Sequence, residues 1–70
     1  MKPIGAEDLR KAREALNETQ WQFAARLGVN QGTVSRWERG RIPERGITQD
    51  FLRRRLNDIA NARRIISVRQ

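Results

Sequence analysis

The chain contains no cysteine and no histidine. Without cysteine there are no disulfides and no thiolates for zinc, an iron–sulfur cluster or covalent catalysis. Without histidine the usual general base and metal ligand are missing as well. Tyrosine is also absent, and aromatic residues make up only 6% of the chain, which leaves few platforms for stacking the bases of a single strand. No apolar stretch reaches signal-peptide or membrane-spanning length, so the expectation is a soluble, cytoplasmic protein. Acidic residues are scarce, 8 Asp+Glu against 15 Lys+Arg, and none form a closely spaced pair of the kind acid–base catalysis uses. An enzyme is not expected, nor is a cofactor or metal. Seventy residues allow one domain, 1–70, burying only roughly 60% of the surface its unfolded chain exposes. Its stability is marginal or shared with a partner.

What the sequence has in excess is arginine. The formal charge is +7, and thirteen of the fifteen basic residues are Arg, whose planar fork matches phosphate oxygens and a guanine edge bidentately. Residues 1–35 hold five basic and four acidic side chains, whereas residues 36–70 hold ten and four. A polyanion-facing surface therefore draws mainly on the second half.

Caps and apolar spacing predict four helices. The first runs from about Ala6 to Leu16, with Leu9, Ala12 and Leu16 on one face and Glu7 and Asp8 in the first turn, where the macrodipole favours anions. Thr19-Gln20-Trp21-Gln22 has the form of a capping box. Phe23, Ala24 and Leu27 follow as an apolar stripe, and Gly28 ends this helix in the left-handed conformation. Asn30 caps a third helix over Gln31 to Arg39 with Val34 and Trp37 inward. Arg41 to Gly46 is a loop. Thr48 caps a fourth helix to about Arg63, lined on one side by Ile47, Phe51, Leu52, Leu56 and Ile59. The β-branched tail Ile65-Ile66-Ser67-Val68 is read as a short strand or frayed chain.

Residues 20–39 carry a specific pattern. Ala24 is small where two helices cross closely, Gly28 supplies the positive φ of a tight turn, and Phe23, Leu27, Val29, Val34 and Trp37 form a shared core. This leaves one face of the third helix free to enter a major groove. With Arg13-Glu14-Ala15-Leu16-Asn17-Glu18-Thr19-Gln20 as the entry and Leu27 to Gly40 as turn and recognition helix, the sequence resembles the phage Cro and lambda-repressor-like helix-turn-helix DNA-binding family. The likeness covers roughly residues 9–46. It implies an all-α, lambda-repressor-like bundle of four helices, five at most, with the short strand at the C-terminus as an option.

The resemblance also implies roles. Gln20 matches a position that anchors a phosphate, and a helix N-terminus favours an anion there. Arg13 and Glu38 match a structural salt bridge between the first and third helices. Gln31, Gly32 and Arg36 fall where base-reading side chains sit, with Thr33 and Ser35 nearby, against phosphate, a thymine methyl or solvent. Arg36 suits guanine O6 and N7, and Gln31 suits adenine N6 and N7, each worth roughly 1–3 kcal/mol of discrimination. Gly32 departs from the common pattern and costs a helix about 1 kcal/mol relative to Ala; it either permits close backbone approach to DNA or loses one contact. Arg39, Arg41 and Arg45 fall where the family's loop follows the phosphate backbone.

Trp37 belongs to the core by its position. Trp21 faces outward, where it covers the loop, touches the DNA backbone or joins a protein interface. Arg53-Arg54-Arg55 diverge by about 100° per residue and so cannot all face one groove. The expected function is a sequence-specific double-stranded DNA-binding transcriptional regulator, a dimeric repressor or autorepressor on an inverted repeat. Helix four and the tail are the candidate dimer surface, the tail pairing strand to strand. Two alternatives stand beside it: an antitoxin or adaptor that holds a partner protein, and non-specific RNA binding.

Overall fold

The structure is a computed structural model that describes the backbone of residues 2–69 and the side chains of residues 2–62. Among these residues there are four helices, α1 (Ala6–Ala15), α2 (Gln20–Leu27), α3 (Gln31–Glu38) and α4 (Ile47–Arg69), and no strand. Their boundaries follow local chemistry. Gly5 N–H donates to Asp8 Oδ2 at the start of α1. After the Leu16 cap, Asn17 adopts φ 55°, a left-handed position that Asn tolerates better than most residues. The capping box forms in both directions: Gln22 N–H donates to Thr19 Oγ1, and Thr19 N–H donates to Gln22 Oε1. Gly28, at φ 81°, then turns the chain so that its own N–H and that of Val29 both reach the Ala24 carbonyl. Two residues later Asn30 Oδ1 accepts from the Thr33 amide and starts α3.

Both α1 and α2 pack against α3. Leu9, Phe23, Ala24, Leu27, Val34, Trp37 and Leu52 are buried together, so Trp37 is a core residue. Ala12, Leu16, Val29, Phe51, Leu56 and Ile59 pack around them, half-buried. Trp21, on the first turn of α2, is 72% exposed.

Helix four differs from expectation in three ways. It begins at Ile47, with Asp50 N–H bonded to the Gly46 carbonyl, which places Thr48 inside the first turn and not at the cap. Ile47 does not line the apolar side; it is 87% exposed. Five residues separate it from buried Leu52, and at 100° per residue that rotates Ile47 about 140° off the core-facing line. Finally, α4 runs through Arg69, so residues 65–69 are helical and form neither a strand nor frayed chain. No Gly or Pro interrupts residues 47–69, and β-branched residues cost a helix only a few tenths of a kcal/mol each. Extending a helix that already exists adds a hydrogen bond per residue without a new nucleus. The side chains of 63–70, including Arg63-Arg64 and the apolar tail residues, lie outside the described residues.

One core feature left no trace in the sequence pattern. Gln49 is 4% exposed and clamps two distant segments to α4. Its Oε1 accepts from Ile4 N–H at 2.8 Å, while Nε2 donates to the Ile4 carbonyl at 3.1 Å and to the Pro43 carbonyl at 2.8 Å. Truncating it leaves three backbone groups without their partner. Gln49→Ala should therefore destabilise the fold by about 1–3 kcal/mol, read as a lowered urea midpoint with unchanged slope.

Candidate nucleic-acid interface

The site is built on the carboxylate of Glu38, the last residue of α3. A negative charge is unfavourable at a helix C-terminus, and this one is only 6% exposed. It is tolerated because cations from α1 converge on it. Arg13 makes a bidentate fork, Nε to Oε2 at 2.7 Å and Nη2 to Oε1 at 3.1 Å, and Arg10 Nη2 donates to the Glu38 backbone carbonyl at 2.7 Å. Arg13 Nη1 also donates to the Glu18 carbonyl at 3.1 Å, which ties the α1–α2 turn into the same cluster. Burial pushes the Glu38 carboxyl up, but the hydrogen bonds from Arg13 and Gln20 and the charges of Arg13 and Arg10 outweigh it and hold the group below its ordinary value of 4.5.

From Glu38 the network extends toward the surface. Gln20 Nε2 donates to Glu38 Oε1 at 3.2 Å, and Gln31 Nε2 donates to Gln20 Oε1 at 2.9 Å. A carboxylate only accepts, so it dictates which end of the Gln20 amide faces it. Gln20 must then present its oxygen to Gln31, and Gln31 must offer its NH2 group in return. What remains free on Gln31 is the carbonyl oxygen and one N–H, an acceptor beside a donor. That pair is complementary to N6–H and N7 on the major-groove edge of adenine. Gln20 itself is largely engaged within the protein; its second Nε2 hydrogen and the amides opening α2 are what it offers an anion.

A second, local chain runs along α3. Asn30 Oδ1 accepts from both the amide and the hydroxyl of Thr33, at 2.8 and 2.9 Å, and Arg36 Nη2 donates to Thr33 Oγ1 at 3.1 Å. Arg36 is exposed, and Gln31, Gly32, Thr33 and Ser35 are half-buried on the same helix. Thr33 thus uses its hydroxyl inside the protein. Arg39, Arg41 and Arg45 are exposed along the turn and loop after α3, and among the described residues no ion pair involves any of them. Arg53 is half-buried and Arg54 and Arg55 exposed, with the Arg55 guanidinium 5.3 Å from the Phe51 ring centroid.

Three contacts were missed from sequence: Arg10 on the α3 carbonyl, the Gln20 bridge, and Arg26 on Glu18. Arg26 grips Glu18 through Nε and Nη2, the shortest contact being 2.6 Å. Its hydrogen bond and charge hold the Glu18 carboxyl down against burial. Only Glu–Arg spacing could have hinted at such pairs, and spacing across a turn is not a helical interval.

The helix-turn-helix family model matches residues 9–54 of this arrangement, well over half the chain. The chain belongs to the Cro/C1-type helix-turn-helix family. No curated protein and no solved structure matches it. Membership makes it a DNA-binding regulator in general terms, and among the described residues no helix is long and apolar enough to cross a membrane.

Two stability predictions follow from the helix-turn-helix cluster. Arg13→Met leaves the Glu38 carboxylate with Gln20 as its side-chain donor and should cost about 3–5 kcal/mol, nearer the lower figure because Gln20 remains. Glu38 and Glu18 both titrate lower folded than unfolded, so as acid is added the unfolded chain takes up protons first. The stability they contribute is fully present above about pH 4.5 and is lost as pH falls through the folded-state values. Urea midpoints should stay level above that pH and drop below it. Glu38→Gln should start lower and show a shallower acid limb; a midpoint independent of pH in the parent protein would contradict the assignment.

Proposed function

We propose that the chain is a single-domain, sequence-specific double-stranded DNA-binding repressor that acts as a homodimer on an inverted repeat, in the cytoplasm. The observation that carries this reading is the hydrogen-bond chain from Arg13 through Glu38 and Gln20 to Gln31. It connects a buried charge to a donor–acceptor pair at the half-buried start of α3, and such an arrangement gives direction to an amide that would otherwise rotate freely. Gln31 and Arg36 read base edges, with Gly32, Thr33 and Ser35 at the same surface. Gln20, Arg39, Arg41 and Arg45 take phosphates, and the excess positive charge supplies the attraction.

A single α3 covers only a few base pairs, which is too little to select a site in a genome. A two-fold pair reading half-sites about 10 bp apart, or a multiple of that, is the symmetric solution. Selection from random duplex DNA tests this directly: an enriched inverted repeat supports it, whereas an asymmetric site or no enrichment moves the weight to a partner-holding adaptor. Binding by 6–10 phosphate contacts should weaken roughly 10³- to 10⁵-fold between 50 and 200 mM salt. Arg36→Ala should relax base preference, and Arg41→Ala should weaken all duplexes alike. If the two variants behave identically, the division between base and phosphate contacts is wrong.

A further inference from the structure

Gly32 stands one residue inside the recognition helix, where helix propensity favours almost any other residue. The backbone does not require it, because its φ is not positive. The protein's own packing does not require it either. A Cβ built there would meet only Asn30 Oδ1 at 3.4 Å and Arg36 Nη1 at 3.8 Å, both ordinary contacts. What a longer side chain would meet is the guanidinium of Arg36. Residues four apart on a helix lie one above the other, and Arg36 reaches back along α3 over the empty position.

The guanidinium is held there by a defined relay. Thr33 gives its hydroxyl proton to Asn30 Oδ1, so the lone pairs of Thr33 Oγ1 face outward, and Arg36 Nη2 donates to one of them. Asn30 Oδ1 already accepts from the Thr33 amide, which fixes Asn30 as the acceptor and removes the other orientation of the hydroxyl. Among the described residues the Arg36 side chain makes no other hydrogen bond, which leaves Nη1 and the second Nη2 hydrogen available. Two parallel N–H groups of this kind match guanine O6 and N7.

We propose that Gly32 is a positioning residue, its missing side chain forming the bay in which Thr33 and Asn30 hold the Arg36 guanidinium ready for a guanine edge. This rests on Arg36 reading a base, and it replaces both simpler accounts of Gly32, a lost contact and a close approach of the DNA backbone. The geometry makes the base preference at one operator position depend on a residue that contributes no atoms to the contact.

Three variants test it: Gly32→Ala, Gly32→Leu and Thr33→Val. Ala and Leu both favour the helix, so unfolding does not mimic the effect, and thermal melts check this. The first measurement is on the free protein, following order and restricted rotation of the Arg36 guanidinium by ¹H–¹⁵N NMR. The second is the affinity ratio between the selected duplex and its single-base variants. A bidentate guanine contact gives a preference of about 5- to 150-fold. Gly32→Leu and Thr33→Val should each lose the guanidinium order and most of that preference at the same base pair, with Gly32→Ala intermediate. Gly32→Ala costing as much as Gly32→Leu while Thr33→Val retains the preference would overturn the proposal in favour of backbone approach. Unchanged guanidinium order in Gly32→Leu would overturn it too. Guanidinium order lost in both variants, with no duplex enriched by the parent protein, would uphold the positioning and sink the operator reading instead.

Discussion

The buried carboxylate of Glu38 is the constraint on which the arrangement depends. A charge that is almost fully enclosed needs several donors, and it draws them from two helices: the Arg13 fork on α1 and the Gln20 amide opening α2, with Arg10, also on α1, holding the backbone carbonyl of the same residue. Apolar burial of Phe23, Leu27, Val34 and Trp37 supplies most of the driving force for packing α1 and α2 on α3, yet it is non-directional. The donors around Glu38 supply the direction. Replacing such a cluster with apolar residues is often neutral or stabilising, so its presence is better explained by the orientation it imposes than by the stability it adds.

That orientation extends to the surface through a single amide. Gln20 has one end facing a carboxylate and the other facing Gln31, and it transmits the preference of the buried group to a half-buried one at the surface. Fold stability and the proposed base contact therefore share a titratable element. Protonating Glu38 removes the demand for donors, and with it the reason for Gln20 to present its oxygen outward. Acid sensitivity of the fold and acid sensitivity of the Gln31 orientation then have the same origin.

The local features were legible in the sequence because their causes are local. Thr19, Asn30 and Gly28 act within four residues of where they stand, and the apolar spacing of Phe23, Ala24, Leu27, Val34 and Trp37 repeats at the helical interval. The resemblance to a known family added Arg13 and Glu38, which no periodicity joins. What stayed hidden depends on distant pairing. Gln49 reads as one more polar residue in the first turn of a helix, and its three backbone partners lie at Ile4 and Pro43, which only the folded chain brings near. Ile47 follows the apolar spacing to Phe51 yet lies about 140° from the line of buried Leu52, and at a helix end no neighbouring element covers that direction, so it meets solvent. The end of α4 was misread because β-branching lowers helix propensity without abolishing it, and no breaker follows Ile47.

The start of α3 is supported by two hydrogen-bond chains of different kinds. The one reaching Gln31 is tertiary, running through α2 to a buried charge, and any change at Gln31 or Gln20 leaves a donor or acceptor unmatched near the core. The one reaching Arg36 is confined to Asn30, Thr33 and Arg36 on a single helix, with Gly32 as the space beside it, and none of these four residues is buried. Substitutions in the second chain can alter the proposed base contact without disturbing the packing of α1, α2 and α3. Substitutions in the first cannot. If operator preference diverges among proteins sharing this fold, the physical asymmetry places the freedom at residues 32, 33 and 36 and the restraint at 20, 31 and 38.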